Sequence, residues 1–137
     1  MIQGYFYLAS PYAKYAFGHE AAFKDASEQA ALLLNAGIPV FSPISHSHPI
    51  ALYGNLEKTD HKLWLHIDYQ ILRHARGLIM LKLPGWEYSH GMDQEYRWFT
   101  KNTQQPIYWM IPGIVPETLL QVVNDETSPE ISDAAHA

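Results

Sequence analysis

"GLIMLKLPGWEYSHGMDQEYRWF", residues 77–99, passes from one periodicity to another. Gly77 to Leu83 is a short, almost wholly apolar run and reads as a strand buried on both faces. "PGWEYS" (84–89) breaks the run as a loop. From Ser89 onward Met92, Tyr96 and Phe99 recur at helical spacing, while Asp93, Gln94, Arg97 and Lys101 point elsewhere. A buried strand feeding an amphipathic helix is one half of a crossover unit, and the same alternation extends in both directions.

Upstream, "YFYLASP" (5–11) reads as a first strand, and an Ala- and Leu-rich helix follows from about Phe17 to Ala36, stopping at Gly37. "IPVFSPI" (38–44) is a second strand, with Pro39 at its start and Pro43 near its end. "SHSHPIALYGNLEK" (45–58) reads as a loop, and a helix runs from Thr59 or Asp60 to Ala75. Downstream, "PIYWMI" (106–111) is a fourth strand. Residues 1–123 form one domain, and 124–137, acidic and Pro/Ser-bearing, read as a flexible tail. Alternating strands and helices predict an α/β fold: a three-layer, Rossmann- or flavodoxin-like sandwich around a mostly parallel sheet of four to five strands.

Composition narrows the function. The chain has 137 residues, 47% of them apolar and 13% aromatic, which suits one domain with a substantial core. Nine Lys and Arg against fourteen Asp and Glu give a net charge of −5, which disfavours a non-specific grip on a nucleic-acid polymer. No cysteine is present, so thiol nucleophiles, disulfides and thiolate metal sites drop out. "MIQGYFYLAS" has no signal-peptide pattern, and no stretch approaches the roughly 20 apolar residues that cross a bilayer. The expectation is a soluble, cytoplasmic protein with no membrane partner.

In a parallel sheet ligands bind beyond the carboxyl ends of the strands. That edge gathers "SPYA" after the first strand, "SPISHSHP" after the second and "PGWEYSHG" after the third. Two carboxylates point toward it from positions that should be apolar. Glu95 lies in the arc between Met92 and Phe99, and Asp68 lies in the arc of Leu63, Trp64, Ile67, Ile71, Leu72 and Ala75. Each alone would read as a buried acid with a cationic or backbone partner. Two together beside the ligand edge point to a functional site.

Ser89 is a fitting N-cap, and Gly91 clears the first turn of the last helix, leaving backbone N–H groups open to an anion or a sugar hydroxyl. Ser45, His46, Ser47 and His48 are candidate hydrogen-bond donors from their loop, and Trp86 and Tyr88 could stack on a nucleobase. The His-x-His pair lacks a third ligand at a telling spacing, even with Asp60, His61 and His66 nearby, so no metal is expected.

"YLASPY", Asp68 and "SHGMDQE" (89–95), in this order, resemble the nucleoside 2-deoxyribosyltransferase superfamily. The likeness covers about residues 5–111 and is greatest to a small bacterial and phage branch of unsettled function that carries strings like "VFSPISHSHPI". It implies that Glu95 is a nucleophile at an anomeric carbon and that Asp68 lies near sugar and base, protonating the leaving base or orienting the sugar. It also implies no dissociable cofactor and no metal, and a homo-oligomer (a dimer or larger) in which a neighbouring subunit helps close the pocket. Deoxyribosyltransferases carry Asp where Ser89 stands, whereas the nucleotide N-hydrolase branch carries Ser, which suits a 5′-phosphate. Ser10 stands where relatives often have Gly, and Tyr12 follows it at the same edge.

The expected function is therefore N-glycosidic hydrolysis of ribo- or deoxyribonucleoside 5′-monophosphates. Base exchange between deoxynucleosides and a non-catalytic nucleotide-binding module are the alternatives. The expected partner is a small nucleoside or nucleotide.

Overall fold

A computed structural model describes residues 2–58 and 60–127. Its centre is a four-stranded, all-parallel sheet of β1 (Phe6–Ala9), β2 (Val40–Phe41), β3 (Gly77–Leu81) and β4 (Ile107–Met110), in the order β2-β1-β3-β4. β1 and β3 are buried along their whole length, because every residue faces one helical layer or the other. Among the described residues five α-helices flank the sheet: α1 (His19–Asn35), α2 (Pro43–Gly54), α3 (His61–Leu72), α4 (His90–Asn102) and α5 (Glu117–Glu126). The architecture is the expected three-layer, Rossmann-like sandwich.

Two cores follow from strand alternation. Phe6, Leu8, Ile79, Leu81 and Met110 pack with Ala22 and Leu33 of α1 and Leu119 of α5. On the other face Tyr7, Ala9, Leu78 and Met80 meet Leu72 of α3 and Met92 and Phe99 of α4. The chain leaves β1 toward β2 on one side and returns to β3 on the other. A topological switch point therefore lies between β1 and β3, where their carboxyl ends diverge and open a crevice.

Two segments differ from the sequence reading. Residues 43–54 form α2 rather than a loop, and β2 shrinks to Val40–Phe41. Pro43 is the first residue of α2, where a missing N–H costs nothing, and Ser42 caps the helix by accepting from the Ser45 N–H at 3.3 Å. Pro49 lies inside the helix, which is why the segment reads as broken. Asn55, in the left-handed region at φ 56°, ends it.

The second difference is α5. It covers 124–126, which read as the start of a flexible tail, and it is anchored by Leu119, Val122 and Val123 at helical spacing on the core. Glu126 also accepts from Arg76 Nη1 at 2.8 Å. Residues 128–137 of the tail and Thr59, named above beside Asp60 as the start of a helix, lie outside the described residues.

Gly77 begins β3 where two aromatic rings converge. A Cβ there would lie 2.8 Å from Phe6 Cδ1 and 3.1 Å from Tyr108 Cε2, and both rings are buried. Gly77→Ala should therefore cost about 1–3 kcal/mol by overpacking. Thermal unfolding should show Tm lowered by at least about 2 °C. An unchanged Tm would show that the rings yield freely.

Candidate active site

The crevice at the switch point opens into a cavity of about 590 Å³. Its first wall is the segment after β1, where every residue from Ser10 to Phe17 faces the space. α3 supplies His61, Trp64, Leu65 and Asp68, one stripe at i, i+3, i+4 and i+7. That stripe explains Asp68: the helix face that carries it looks into a cavity rather than onto the core. α3 is capped by Asp60, whose Oδ1 accepts from the Leu63 N–H at 3.3 Å, and only Leu72 of the helix is fully buried. Pro84, Gly85, Tyr88, Ser89 and His90 close the cavity on the third side, with Gly91 and Glu95 from α4 behind them.

Glu95 is 6% exposed and sits where β1 meets α4. The hydroxyl of Tyr7, at the centre of β1, donates to Glu95 Oε2. Burial pushes the Glu95 carboxyl up to about 8, the Tyr7 hydrogen bond pulls it back, and the Asp68 charge raises it. Asp68 is pushed up to about 7 by burial. Tyr7 in turn is held well above its ordinary range, by burial first and then by the negative charge of Glu95 and Asp68. Among the described residues neither carboxylate forms an ion pair.

Two buried polar atoms lack a hydrogen-bond partner among the described residues, Ser10 Oγ and Asp68 Oδ1, and both belong to residues lining this cavity. Buried polar atoms ordinarily find partners, so an orphaned pair on two residues of one lining sets this part of the cavity apart. Ser89 caps α4 by accepting from the Met92 N–H at 3.3 Å. A Cβ on Gly91 would meet nothing within 4 Å, so the glycine opens the floor of the cavity rather than relieving a clash.

Of the residues singled out from the sequence, the cavity unites Glu95, Asp68, Ser10, Tyr12, Ser89 and Gly91. Four others lie away from its lining. Ser45 is hydrogen-bonded to Ser27 through the two Oγ atoms at 2.6 Å. His46 is exposed beside Phe41, with ring centroids 5.5 Å apart. His48 is buried between Tyr12 and Glu20. These three depart because 43–54 is a helix, which turns residues i and i+2 to opposite sides. Trp86 packs edge-on against Trp109 at 5.6 Å, with the Lys82 amine 5.5 Å from its ring. Tyr88, 86% exposed, is the aromatic of that loop that reaches the cavity.

Sequence reasoning missed Tyr7, although a tyrosine inside a buried strand always demands a partner for its hydroxyl. It also passed over Lys14, Lys58 and His90, which join His61 in lining the cavity. Four groups able to carry positive charge thus share a cavity with the buried Glu95 and the half-buried Asp68, in a chain of net charge −5. Among the described residues no three His, Asp or Glu side chains converge as metal ligands, and no helix is long and apolar enough to cross a membrane.

Residues 4–111 match DUF1937, a domain of unknown function, and the chain belongs to that family. No curated protein matches it.

The raised carboxyl values have a stability consequence. The folded value of Glu95, about 8, exceeds its ordinary 4.5, so its contribution is full below pH 4.5 and is lost as pH rises toward 8. Asp68 acts in the same direction, from 3.8 to about 7. The ligand-free protein should lose Tm between pH 5 and pH 8. Glu95→Gln, which can still accept from Tyr7, should flatten that slope and unfold about 2–4 °C higher at pH 8, the equivalent of about 1 kcal/mol. A variant no more stable than wild type at pH 8 would refute the burial cost assigned to Glu95.

Proposed function

We propose that this DUF1937 domain is an N-glycosidase that cleaves the base from nucleoside 5′-monophosphates, with Glu95 as nucleophile and Asp68 as acid. The observation that carries the proposal is the pair of carboxylates at the switch point that form no ion pair among the described residues, Glu95 buried and held by Tyr7, Asp68 half-buried with an unpartnered oxygen. The resemblance of "YLASPY", Asp68 and "SHGMDQE" to nucleoside 2-deoxyribosyltransferases supports the same assignment.

In the first step a Glu95 carboxylate oxygen bonds to C1′ as the C1′–N bond breaks. The bonding pair leaves with the base nitrogen, which takes the proton from Asp68. The oxocarbenium-like transition state is stabilised by a carboxylate screened from water. Water then attacks C1′ of the glycosyl ester and gives its proton to Asp68. A 5-phospho sugar leaves and both acids are restored. The Tyr7 hydroxyl favours the ionised form of Glu95 and fixes its orientation.

The phosphate is assigned to the N-terminus of α4, where Ser89 and the bare backbone at Gly91 offer donors, with Lys14 and Lys58 supplying charge. We include a homo-oligomer in this reading, since Phe17 and Tyr88, exposed at the cavity, would be covered by a neighbouring copy.

Purified protein incubated with single nucleotides and nucleosides should release free base from 5′-monophosphates. Glu95→Gln should lower kcat by about a thousandfold or more, and Asp68→Asn by about 10²–10⁴-fold. The rate requires one proton on the pair, and Glu95 at about 8 holds it more tightly than Asp68 at about 7. The reactive arrangement, Glu95 ionised and Asp68 protonated, is therefore the minor one-proton form. The profile of kcat/KM against pH should still be bell-shaped, with limbs near 7 and 8 that belong to the pair. Base release that survives Glu95→Gln would end the nucleophile assignment.

A further inference from the structure

The "SHSHP" segment contributes no lining residue at His46 or His48, yet His48 is 3% exposed and makes two side-chain hydrogen bonds. Its Nε2 lies 2.9 Å from Glu20 Oε2 on α1, and its Nδ1 lies 2.7 Å from the Tyr12 hydroxyl. Phe23, one turn beyond Glu20, stacks on the imidazole with centroids 4.7 Å apart. A buried ring with both nitrogens engaged has no freedom to turn.

The polarity of this chain follows from its end. An ionised Glu20 only accepts, so Nε2 carries the proton, and in the neutral ring Nδ1 is left as an acceptor. Tyr12 must then donate to it. Tyr12 belongs to the Ser10–Phe17 wall of the cavity and is also stacked on His19 at 4.6 Å. Tyr15 packs in the core with Tyr12 against it, while the wall's other side-chain hydrogen bonds among the described residues are few: Tyr15 donates to Asp25 at 2.7 Å, and the His19 ring bonds the Ala13 carbonyl at 3.2 Å. The Tyr12–His48 bond ties the wall to α2, an element that gives the cavity Pro43, Ile44 and Ser47.

We propose that His48, backed by Glu20, is a positioning residue for the ligand, acting through Tyr12 to hold the 10–17 wall against α2. A tyrosine whose O–H is donated to His48 can accept from a ligand but cannot donate to it. Where the ligand reaches that hydroxyl it must offer a donor, a sugar hydroxyl or a base amine, and the phosphate is directed elsewhere. The proposal rests on the reading above only in taking this cavity as the ligand site.

The test uses Tyr12→Phe, which removes one oxygen, together with His48→Leu, His48→Asn and the Tyr12→Phe/His48→Leu double variant. The first readout needs no substrate: the rate of tryptic cleavage after Lys14, exposed in the wall, under native conditions. Tyr12→Phe and His48→Leu should each speed cleavage about five- to tenfold, the worth of one hydrogen bond. The double variant should be no faster than the worse single one, because both remove the same bond. His48→Asn, whose side-chain oxygen stands near the place of Nδ1, should recover part of the protection. The second readout is base release, where KM should rise by a similar factor while kcat stays within about twofold.

Unchanged cleavage in folded Tyr12→Phe would overturn the proposal, as would equal losses in kcat and kcat/KM. If wild type releases no base from any substrate, the glycosidase reading fails, and the cleavage rates still decide whether His48 holds the wall.

Discussion

The setting of Glu95 at the ligand edge depends on one hydrogen bond, from the hydroxyl of Tyr7 to its carboxylate. It joins one of the two inner strands to the helix that follows β3, across the face of the sheet where Leu78, Met80 and Met92 pack. Burying a carboxylate without a cation costs several kcal/mol in principle, and one donor offsets only part of that. The remainder stays as raised carboxyl values at both Glu95 and Asp68. A fold selected for stability alone would place an apolar residue at 95. Retaining the acid concentrates the unfavourable electrostatics in one place, at the edge of the cavity.

The fold was legible because its signals are local. Apolar runs at 5–11 and 77–83, the Gly37 stop and the periodicity after Ser89 each settle an element without reference to the rest of the chain. α2 was illegible for a specific reason: Pro43 and Pro49 read as strand end and loop, although the first suits a helix start and the second is tolerated inside. α5 was overlooked because its core-facing stripe is only Leu119, Val122 and Val123 among polar neighbours. Glu95 and Asp68 were legible as misfits within an arc. Tyr7 and Lys58 were not, since what they face is decided by chain segments far away in sequence.

The histidines show how one wrong element changes the chemistry assigned to several residues. As a loop, 45–49 would let both imidazoles reach a ligand. As a helix it exposes His46, buries His48 and puts Ser45 against Ser27. Of the four polar residues in that stretch, Ser47 is the one that keeps its place beside the cavity.

The strand order has a temporal consequence. β1 is made first but lies between β2 and β3, with Phe6 in register with Gly77. The central parallel pair therefore cannot close until some seventy further residues have been added. Such non-local pairing places the protein among slower-folding topologies, in which chain entropy is lost before contacts compensate. During synthesis the apolar "YFYLA" stretch leaves the ribosome long before its sheet partner, and Tyr7 waits still longer for Glu95. The protonatable pair at the switch point is thus completed only once Glu95 has been added, 88 residues beyond Tyr7.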